Sequence, residues 1–440
     1  MINILRHALS TAICLLITAG PIVAQTESSF AIKQGDRVVF YGDSITDQRM
    51  YSLLAEQYIV TRFPQLSVHF VHSGVGGDRV SGGYVGPINE RLDRDVTAYK
   101  PSVVTIMLGM NDASYTPFDE RIFQTYANGY KHLVDKLITD NPGVRLTLVK
   151  PSPFDDVTRP LSFPGGYNAV LLRYSDFIGT LATEKHCNVA DLNTDVVGML
   201  RKANAKDPKI AAKIIEDRVH PGWGGHLIMA QSLLLSWNAP ALVSDVVIDA
   251  TTRKSLTKNA TLSALKREAD GRISWTCLEK ALPFPLTTLP GAKPQDPNDD
   301  AAPYHLALVS SDFVDRLDKE MLTVTHLPSP HYDLTIDGIS IGTFTNAELS
   351  AGINLATLQT PMLKQARLVA SLTEQRANLH NDRWRQYQVP FAKDAELAAF
   401  IPGVLTELDR LDNVLAAARY RVAQPKAHRY VLSVSTRKVP

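Results

Sequence analysis

Short apolar runs alternate with longer amphipathic stretches over residues 37–237. The apolar runs are residues 37–41, 67–71, 102–108, 145–149 and 187–192. Most of them lack the in-out alternation of a half-exposed strand, which favours strands that are covered on both faces. Between several of the runs apolar residues recur at spacings of three and four, which predicts helices. This alternation predicts a parallel sheet between two layers of helices, with ligands bound beyond the carboxyl ends of the strands.

The pattern changes after Trp237. Residues 282–303 are rich in Pro, Asp and Gly, which is typical of a surface linker or long loop. Beyond them the sequence predicts short strands at 321–327, 331–344 and 429–435, and helices at about 355–387 and 395–423. Asp337-Gly338 within the second of these strands is a strong hairpin signal. We therefore predict a connecting segment and Pro-rich linker at 241–303 and a smaller α+β region at 304–440.

The first residues have the pattern of a secretory signal peptide. Arg6 precedes an apolar run from Ala8 to Ala19, and small residues precede a plausible cleavage point after Ala24. A buried N-terminal helix is the alternative, but Pro21 and the polar residues that follow disfavour it. We predict a signal peptide at 1–24, a first domain at 25–240, and a secreted or periplasmic protein without stable membrane insertion.

Composition narrows the range of partners and cofactors. The 46 Lys and Arg residues nearly balance the 45 Asp and Glu residues, so no basic surface suggests nucleic acid as a partner. After removal of the signal peptide only Cys187 and Cys277 remain, and whether they form a disulfide stays open. The chain has none of the common motifs for zinc, nucleotide phosphates or dinucleotides, so we expect no metal and no cofactor.

Three of the predicted strands are followed by residues that suit an acyl-transfer site. Ser44 follows the first strand in "GDSIT", Gly77 follows the second in "GVGGD", and Asn111 follows the third in "GMND". A serine can be a nucleophile, and a glycine N–H or an asparagine amide can donate to an oxyanion. Each also has an ordinary structural interpretation: the hydroxyl of a turn, a flexible Gly-rich connection and a helix N-cap, respectively.

Asp217 and His220 stand three positions apart before the last amphipathic helix of the first domain. On a turn, this spacing lets the carboxylate reach one ring nitrogen of the histidine while the other nitrogen faces outward. Serine needs such an oriented imidazole to remove its proton. The alternative is a helix-capping aspartate beside an incidental surface histidine. Because the sheet would deliver all these residues to one edge, we interpret them together as the parts of an acyl-transfer site.

These four blocks resemble those of the SGNH, or GDSL-type, hydrolase superfamily, with Ile45 in place of the leucine in the family's name. The resemblance implies a flavodoxin-like three-layer α/β/α sandwich. It also implies that Ser44 is the nucleophile, His220 the general base and Asp217 its orienting partner. The backbone N–H groups of Ser44 and Gly77 and the side chain of Asn111 would form the oxyanion hole.

The resulting hypothesis is an exported serine ester hydrolase whose substrate is a small-molecule or polysaccharide ester. Export favours short acyl groups, in particular acetyl, on a carbohydrate or glycoconjugate. One alternative is a lipolytic esterase or lysophospholipase that acts on longer acyl chains, and another is an inactive carbohydrate- or cell-wall-binding module. "GISIG" at 338–342 also matches the G-x-S-x-G nucleophile pattern around Ser340, but a hairpin there is incompatible with the strand-to-helix turn that this pattern needs.

Overall fold

The computed structural model describes residues 29–287, 301–391, 394 and 396–435. The predicted signal peptide and residues 288–300 of the predicted linker therefore lie outside the described residues. Within the described ranges no helix is long and apolar enough to cross a membrane.

The first domain alternates strands and helices as the sequence pattern predicts. Its elements are β1 (Arg37–Gly42), α1 (Ser44–Asp47), α2 (Met50–Arg62), β2 (His69–Gly74), β3 (Gly82–Gly83), β4 (Gly86–Pro87), α3 (Ile88–Asp95), β5 (Val103–Met107), α4 (Glu120–Asp140), β6 (Arg145–Val149), α5 (Tyr167–Glu184), β7 (Asn188–Ala190), α6 (Leu192–Lys206), α7 (Pro208–Ala211) and α8 (Trp223–Ser236). The five predicted strands correspond to β1, β2, β5, β6 and β7.

These five strands form one parallel sheet in the order β2-β1-β5-β6-β7. This is the strand order of flavodoxin-like folds, in which the direction of winding reverses between the first and third strands, here β1 and β5. Residues 38–41 of β1 are fully buried, because helices cover both faces of the sheet. Helix α2 packs with α8, while α4 packs with α3 and α5. The predicted α/β/α sandwich is confirmed.

The second region begins immediately after the first domain. Its elements are β8 (Leu242–Asp249), β9 (Ser255–Lys258), β10 (Ala260–Arg267), β11 (Ile273–Glu279), α9 (Ala301–Val309), α10 (Phe313–Leu317), β12 (Lys319–Thr325), β13 (His331–Ile336), β14 (Ile339–Thr345), α11 (Asn346–Ala351), β15 (Ile353–Asn354), α12 (Pro361–Asp382), α13 (Val389–Phe391), α14 (Ile401–Ala423) and β16 (Ala427–Val434). A π-helical segment, Arg383–Gln388, continues α12. We call residues 242–435 the C-terminal region.

Two mostly antiparallel sheets organise the C-terminal region, in the orders β10-β11-β16-β13-β14 and β15-β12-β8-β9. The strands β8 to β11 lie in the segment that the sequence analysis assigned to a connection, and they pair with β12 and β16. The start of the predicted linker is also packed, since Leu282, Phe284 and Leu286 are buried. Phe284 stacks edge-on against Phe313. Residues 242–287 are therefore part of the folded C-terminal region and not a linker.

The predicted hairpin at Asp337-Gly338 joins β13 to β14, and both turn residues have positive φ angles, 51° and 79°. A two-residue turn of this kind matches the twist of the strands that it joins. Ser340 therefore lies in an antiparallel strand and not at a strand-to-helix turn. Cys187 and Cys277 are both free thiols.

Helices α12 and α14 of the C-terminal region pack against α2 of the first domain. The contact contains a buried carboxylate, Glu56 of α2, which pairs with Arg419 of α14. His72 of β2 lies 3.1 Å from the same carboxylate and Arg376 of α12 lies 3.9 Å from it. Burial by itself would raise the pKa of Glu56, but the three basic side chains outweigh burial and lower it to about 2. Charged groups therefore join the two parts of the chain in a buried interface.

Candidate active site

Ser44 lies at the carboxyl end of β1, where the chain turns directly into α1. The turn needs glycine at position 42, because a Cβ there would lie 2.2 Å from Thr46 Oγ1 and 2.6 Å from the carbonyl oxygen of Met107. Asp43 caps α1 by accepting from the N–H of Ile45. Ser44 is the first residue of this helix, so its own N–H has no acceptor within the helix. The sequence and the turn thus leave both the hydroxyl and the N–H of Ser44 at the edge of the sheet.

His220 meets Ser44 at this edge. Its Nε2 lies 2.7 Å from Ser44 Oγ, and its Nδ1 lies 2.6 Å from Oδ2 of Asp217. A carboxylate only accepts hydrogen bonds, so Nδ1 donates to Asp217 and Nε2 is left to accept from the serine hydroxyl. The structure therefore brings together Ser44, His220 and Asp217 in one hydrogen-bonded chain, with the geometry that nucleophilic catalysis by serine requires.

A compact turn before α8 orients Asp217. Its Oδ1 accepts from the backbone N–H groups of Val219 and His220, at 2.9 and 2.7 Å. Burial would raise the pKa of Asp217, but these N–H groups and the ring of His220 outweigh burial and lower the pKa. Asp217 does not cap α8, which begins at Trp223. The ionised carboxylate is thus directed at the imidazole.

Gly77 lies on the loop that follows β2, and residues 75–80 are called the oxyanion loop below. It has a φ of 74°, a conformation that favours glycine, and the space where a Cβ would point is open. Its N–H has no acceptor among the residues that the structure describes. Gly77 is exposed, so this N–H is available to a ligand.

Asn111 follows β5 and is held by two hydrogen bonds. Its Nδ2 donates to the carbonyl oxygen of Asp78 at 3.1 Å, and its Oδ1 accepts from the hydroxyl of Tyr115 at 3.0 Å. A primary amide carries two N–H groups, so one remains for a ligand. The contact with Asp78 also ties Asn111 to the oxyanion loop. Tyr115 is a site residue that the sequence analysis missed, although it lies only four positions from Asn111.

Three acidic residues adjoin the candidate oxyanion donors, and all three are buried: Asp43, Asp78 and Asp112. Burial raises the pKa of Asp43 to about 8 and that of Asp112 to about 6. Burial also raises the pKa of Asp78, although Arg91 opposes this effect. Protonation of Asp43 near neutral pH removes a negative charge that would otherwise disfavour an oxyanion beside Ser44.

A second histidine supports the loop beneath the site. The buried His226 of α8 accepts from the N–H of Tyr51 through Nδ1, so its Nε2 donates to Oε1 of Gln48 at 3.0 Å. Burial lowers the pKa of His226 to about 3, which keeps the ring neutral. No local sequence pattern around His226 indicates its contacts with Tyr51 and Gln48.

The cleft beside Ser44 and His220 has a volume of about 390 Å³ and is formed by both parts of the chain. The first domain contributes Asp47, Gln48 and Arg49 to its walls, and the C-terminal region contributes Asn381, Arg385 and Gln386. No local pattern in the sequence indicates that the C-terminal residues lie near Ser44. Within the described residues no group of three or more His, Cys, Asp or Glu side chains is arranged to hold a metal ion.

Comparison with known proteins extends these observations. The sequence model of the GDSL-like Lipase/Acylhydrolase family matches residues 40–228. A curated acetylxylan esterase of Geobacillus stearothermophilus is 24% identical over 228 residues, which cover 46% of this chain and 94% of that protein.

Two solved structures differ in how much of the chain they match. BT4096, described as a gut microbial diltiazem-metabolizing enzyme, is 26% identical with a TM-score of 0.78, and the match covers 93% of this chain and 100% of that one. Axe2, an acetylxylan esterase from Geobacillus stearothermophilus, is 22% identical with a TM-score of 0.38, over 47% of this chain and 96% of that one. The similarity to the first structure therefore extends into the C-terminal region.

Proposed function

Because residues 40–228 belong to the GDSL-like lipase/acylhydrolase family and the chain is a carboxylic ester hydrolase, we propose that it uses Ser44 as its nucleophile. We further propose that it is exported and removes short acyl groups, in particular acetyl, from a carbohydrate or glycoconjugate. The observation that carries the catalytic part is the chain of contacts from Ser44 Oγ through His220 to Asp217, at 2.7 and 2.6 Å.

In the proposed reaction, Ser44 Oγ forms a bond to the ester carbonyl carbon while its proton moves to Nε2 of His220. The carbonyl oxygen becomes an oxyanion that accepts from the N–H groups of Ser44 and Gly77 and from the side chain of Asn111. The bond to the alcohol oxygen then breaks, and His220 gives its proton to the leaving alcohol. His220 next removes a proton from water, which attacks the acyl-enzyme and releases the acid and free Ser44.

The lining of the cleft supports a polar substrate. Among the described residues, every one that lines it is polar: Ser44, Asp47, Gln48, Arg49, His220, Asn381, Arg385 and Gln386. A long acyl chain would need an apolar wall, which these lining residues do not form, whereas sugar hydroxyls can exchange hydrogen bonds with amides and guanidinium groups. The similarity to an acetylxylan esterase is consistent with the same substrate class.

An acyl-chain series of p-nitrophenyl esters tests the substrate class, together with acetylated glycans and acyl lipids. We expect acetyl esters to be hydrolysed faster than octanoyl esters. A preference for long chains would refute the acetylesterase proposal and favour a lipolytic enzyme.

The nucleophile is tested by Ser44→Ala, for which we expect a loss of turnover on the order of 10⁶-fold. A fluorophosphonate probe should label the native protein at Ser44. Failure to label would favour a binding module without catalytic activity. Export is tested by sequencing the N-terminus of the secreted protein, which we expect to begin at Gln25.

A further inference from the structure

We propose that Trp384 and Arg385 of the C-terminal region are positioning residues that hold the oxyanion loop, so that this region is part of the catalytic machinery. The two residues are neighbours on the π-helical segment Arg383–Gln388. They reach the oxyanion loop by separate routes, one on each side of Gly77. The inference rests on the proposed function, because it concerns the donors to the proposed oxyanion.

The first route leads from Trp384 to Asp78, the residue after Gly77. The buried guanidinium of Arg91 lies 2.8 Å from the carboxylate of Asp78 and donates to the carbonyl oxygen of Ser73 at the end of β2. Arg91 therefore contacts both the end of β2, just before the loop, and Asp78 within the loop. The side chain of Arg91 is fully buried, so water cannot take the place of a partner that the charge loses.

Trp384 completes the environment of Arg91. The guanidinium carbon of Arg91 lies 5.6 Å from the ring centre of Trp384, and Trp384 Nε1 donates to Oδ1 of Asp95 at 2.7 Å. Asp95 in turn pairs with Arg91. The indole thus contacts the cation through its ring and the counter-ion through its N–H, so it touches both members of this buried ion pair.

The second route leads from Arg385 to Gly76, the residue before Gly77. The N–H of Gly76 donates to Oδ2 of Asp47 at 3.1 Å. The same oxygen lies 3.8 Å from Nη2 of Arg385, which also donates to the hydroxyl of Tyr84 at 2.5 Å. Asp47 thus lies between the guanidinium of Arg385 and the N–H of Gly76, and a change at Arg385 would reach the loop through this carboxylate.

The π-helical turn places both side chains at the site. Helix α12 has an ordinary α-helical ladder up to Asp382, and the wider turn then changes the helical register beside the cleft. Such turns within α-helices are often found at functional sites. Here Trp384 and Arg385 lie close together, with the Arg385 guanidinium carbon 5.2 Å from the Trp384 ring centre. The C-terminal region therefore holds Gly76 and Asp78 through two adjacent residues.

Kinetics of two variants test the inference in the full-length protein. Trp384→Phe keeps an aromatic ring but removes the N–H donor, and Arg385→Gln removes the charge. We expect each to lower kcat for p-nitrophenyl acetate by about tenfold, less than the 10²- to 10³-fold loss for a donor itself. KM should stay within about twofold, because positioning of oxyanion donors acts in the transition state.

An arylboronic acid provides a readout that a purely structural role would not change. Its tetrahedral adduct with Ser44 presents an anionic oxygen to the oxyanion donors, so its affinity should fall in parallel with kcat. The pH dependence of turnover should keep its shape, because His220 and Asp217 are not altered.

Two control variants match the tests. Trp275 is a tryptophan of the same region that is equally buried but lies in β11, stacked on Tyr430. Arg383 lies on the same π-helical segment but pairs with Asp409. Trp275→Phe and Arg383→Gln should therefore leave kcat and boronate affinity unchanged at temperatures where the proteins are folded.

The outcomes separate the two proposals. If the native protein neither hydrolyses the ester nor labels with the fluorophosphonate, the proposed function is wrong. If the native protein does both, and kcat and boronate affinity in the test variants equal those of the controls, the positioning inference is wrong. If Trp384→Phe does not fold, the kinetics and boronate affinity of Arg385→Gln test the inference, because Arg385 is partly exposed.

Discussion

Nε2 of His220 lies 2.7 Å from Oγ of Ser44, although 176 positions separate the two residues in the chain. Ser44 follows the first strand of a parallel sheet, and His220 precedes the last helix that packs on it. The sheet brings these two points of the chain to one edge.

Asp217→Asn is expected to lower kcat by about 10⁴-fold, because an amide can donate and so no longer fixes the imidazole tautomer that accepts from serine. The measurement is turnover of p-nitrophenyl acetate at neutral pH, with circular dichroism to establish folding. Asp119→Asn is the matched control, because Asp119 also accepts from two backbone N–H groups but caps α4. This control should turn over at the native rate. A loss of less than tenfold in Asp217→Asn would contradict the role of Asp217.

Asn111→Ala should lower kcat by about 10²- to 10³-fold, the usual cost of one oxyanion donor. Asn111→Asp keeps the shape of the side chain but replaces the donor with an acceptor, so we expect a loss at least as large. Steady-state kinetics with both variants separate the loss of the amide donor from the loss of side-chain volume, since only Asn111→Ala removes both. Turnover at the native rate in either variant would exclude Asn111 from the oxyanion hole.

Asp43→Asn should leave turnover within a few-fold of the native value but change how stability depends on pH. Burial raises the pKa of Asp43 from 3.8 to about 8, so the folded protein holds this proton more tightly than the unfolded chain does. The stability due to Asp43 is therefore fully present below about pH 4 and is lost as pH rises through about 8. An asparagine does not titrate.

Thermal unfolding between pH 4 and pH 9 measures this effect. The native protein should lose more stability over this interval than Asp43→Asn does. Parallel curves for the two proteins would mean that Asp43 is not protonated in the folded state.

Glu56→Gln should destabilise the protein by about 3–5 kcal/mol at pH 7, because it leaves the buried cation Arg419 without its carboxylate partner. The pKa of Glu56 is lowered from 4.5 to about 2. Its contribution to stability is thus present above about pH 4.5 and is lost as pH falls through about 2. Urea unfolding at pH 7, and thermal unfolding from pH 5 to pH 2, measure both effects.

Glu374 provides the control for this variant. It lies on α12 but is exposed, so Glu374→Gln should change the unfolding free energy by no more than about 0.5 kcal/mol. If Glu56→Gln were equally mild, the buried pairs would not hold the C-terminal helices to the first domain.

The sequence by itself determined the features that depend on neighbouring residues. Alternation of apolar runs and amphipathic stretches indicated the parallel sheet, and Asp337-Gly338 indicated a hairpin, because both follow from local geometry. Ser44, Gly77, Asn111, Asp217 and His220 were recognisable because each stands in a short segment whose turn chemistry is local. The order of the strands then explains why these segments meet.

Only the tertiary structure shows how the C-terminal region folds and which of its residues lie beside Ser44. Its strands β8 to β11 were taken for part of a connection, because a strand gains its stability from partners, here β12 and β16, that lie far along the chain. Trp384 and Arg385 likewise have no local signature, and Trp384 contacts Asp95 across 289 positions. Such contacts arise when whole elements pack, since burial and charge pairing depend on what surrounds a side chain in space and not on its neighbours in sequence.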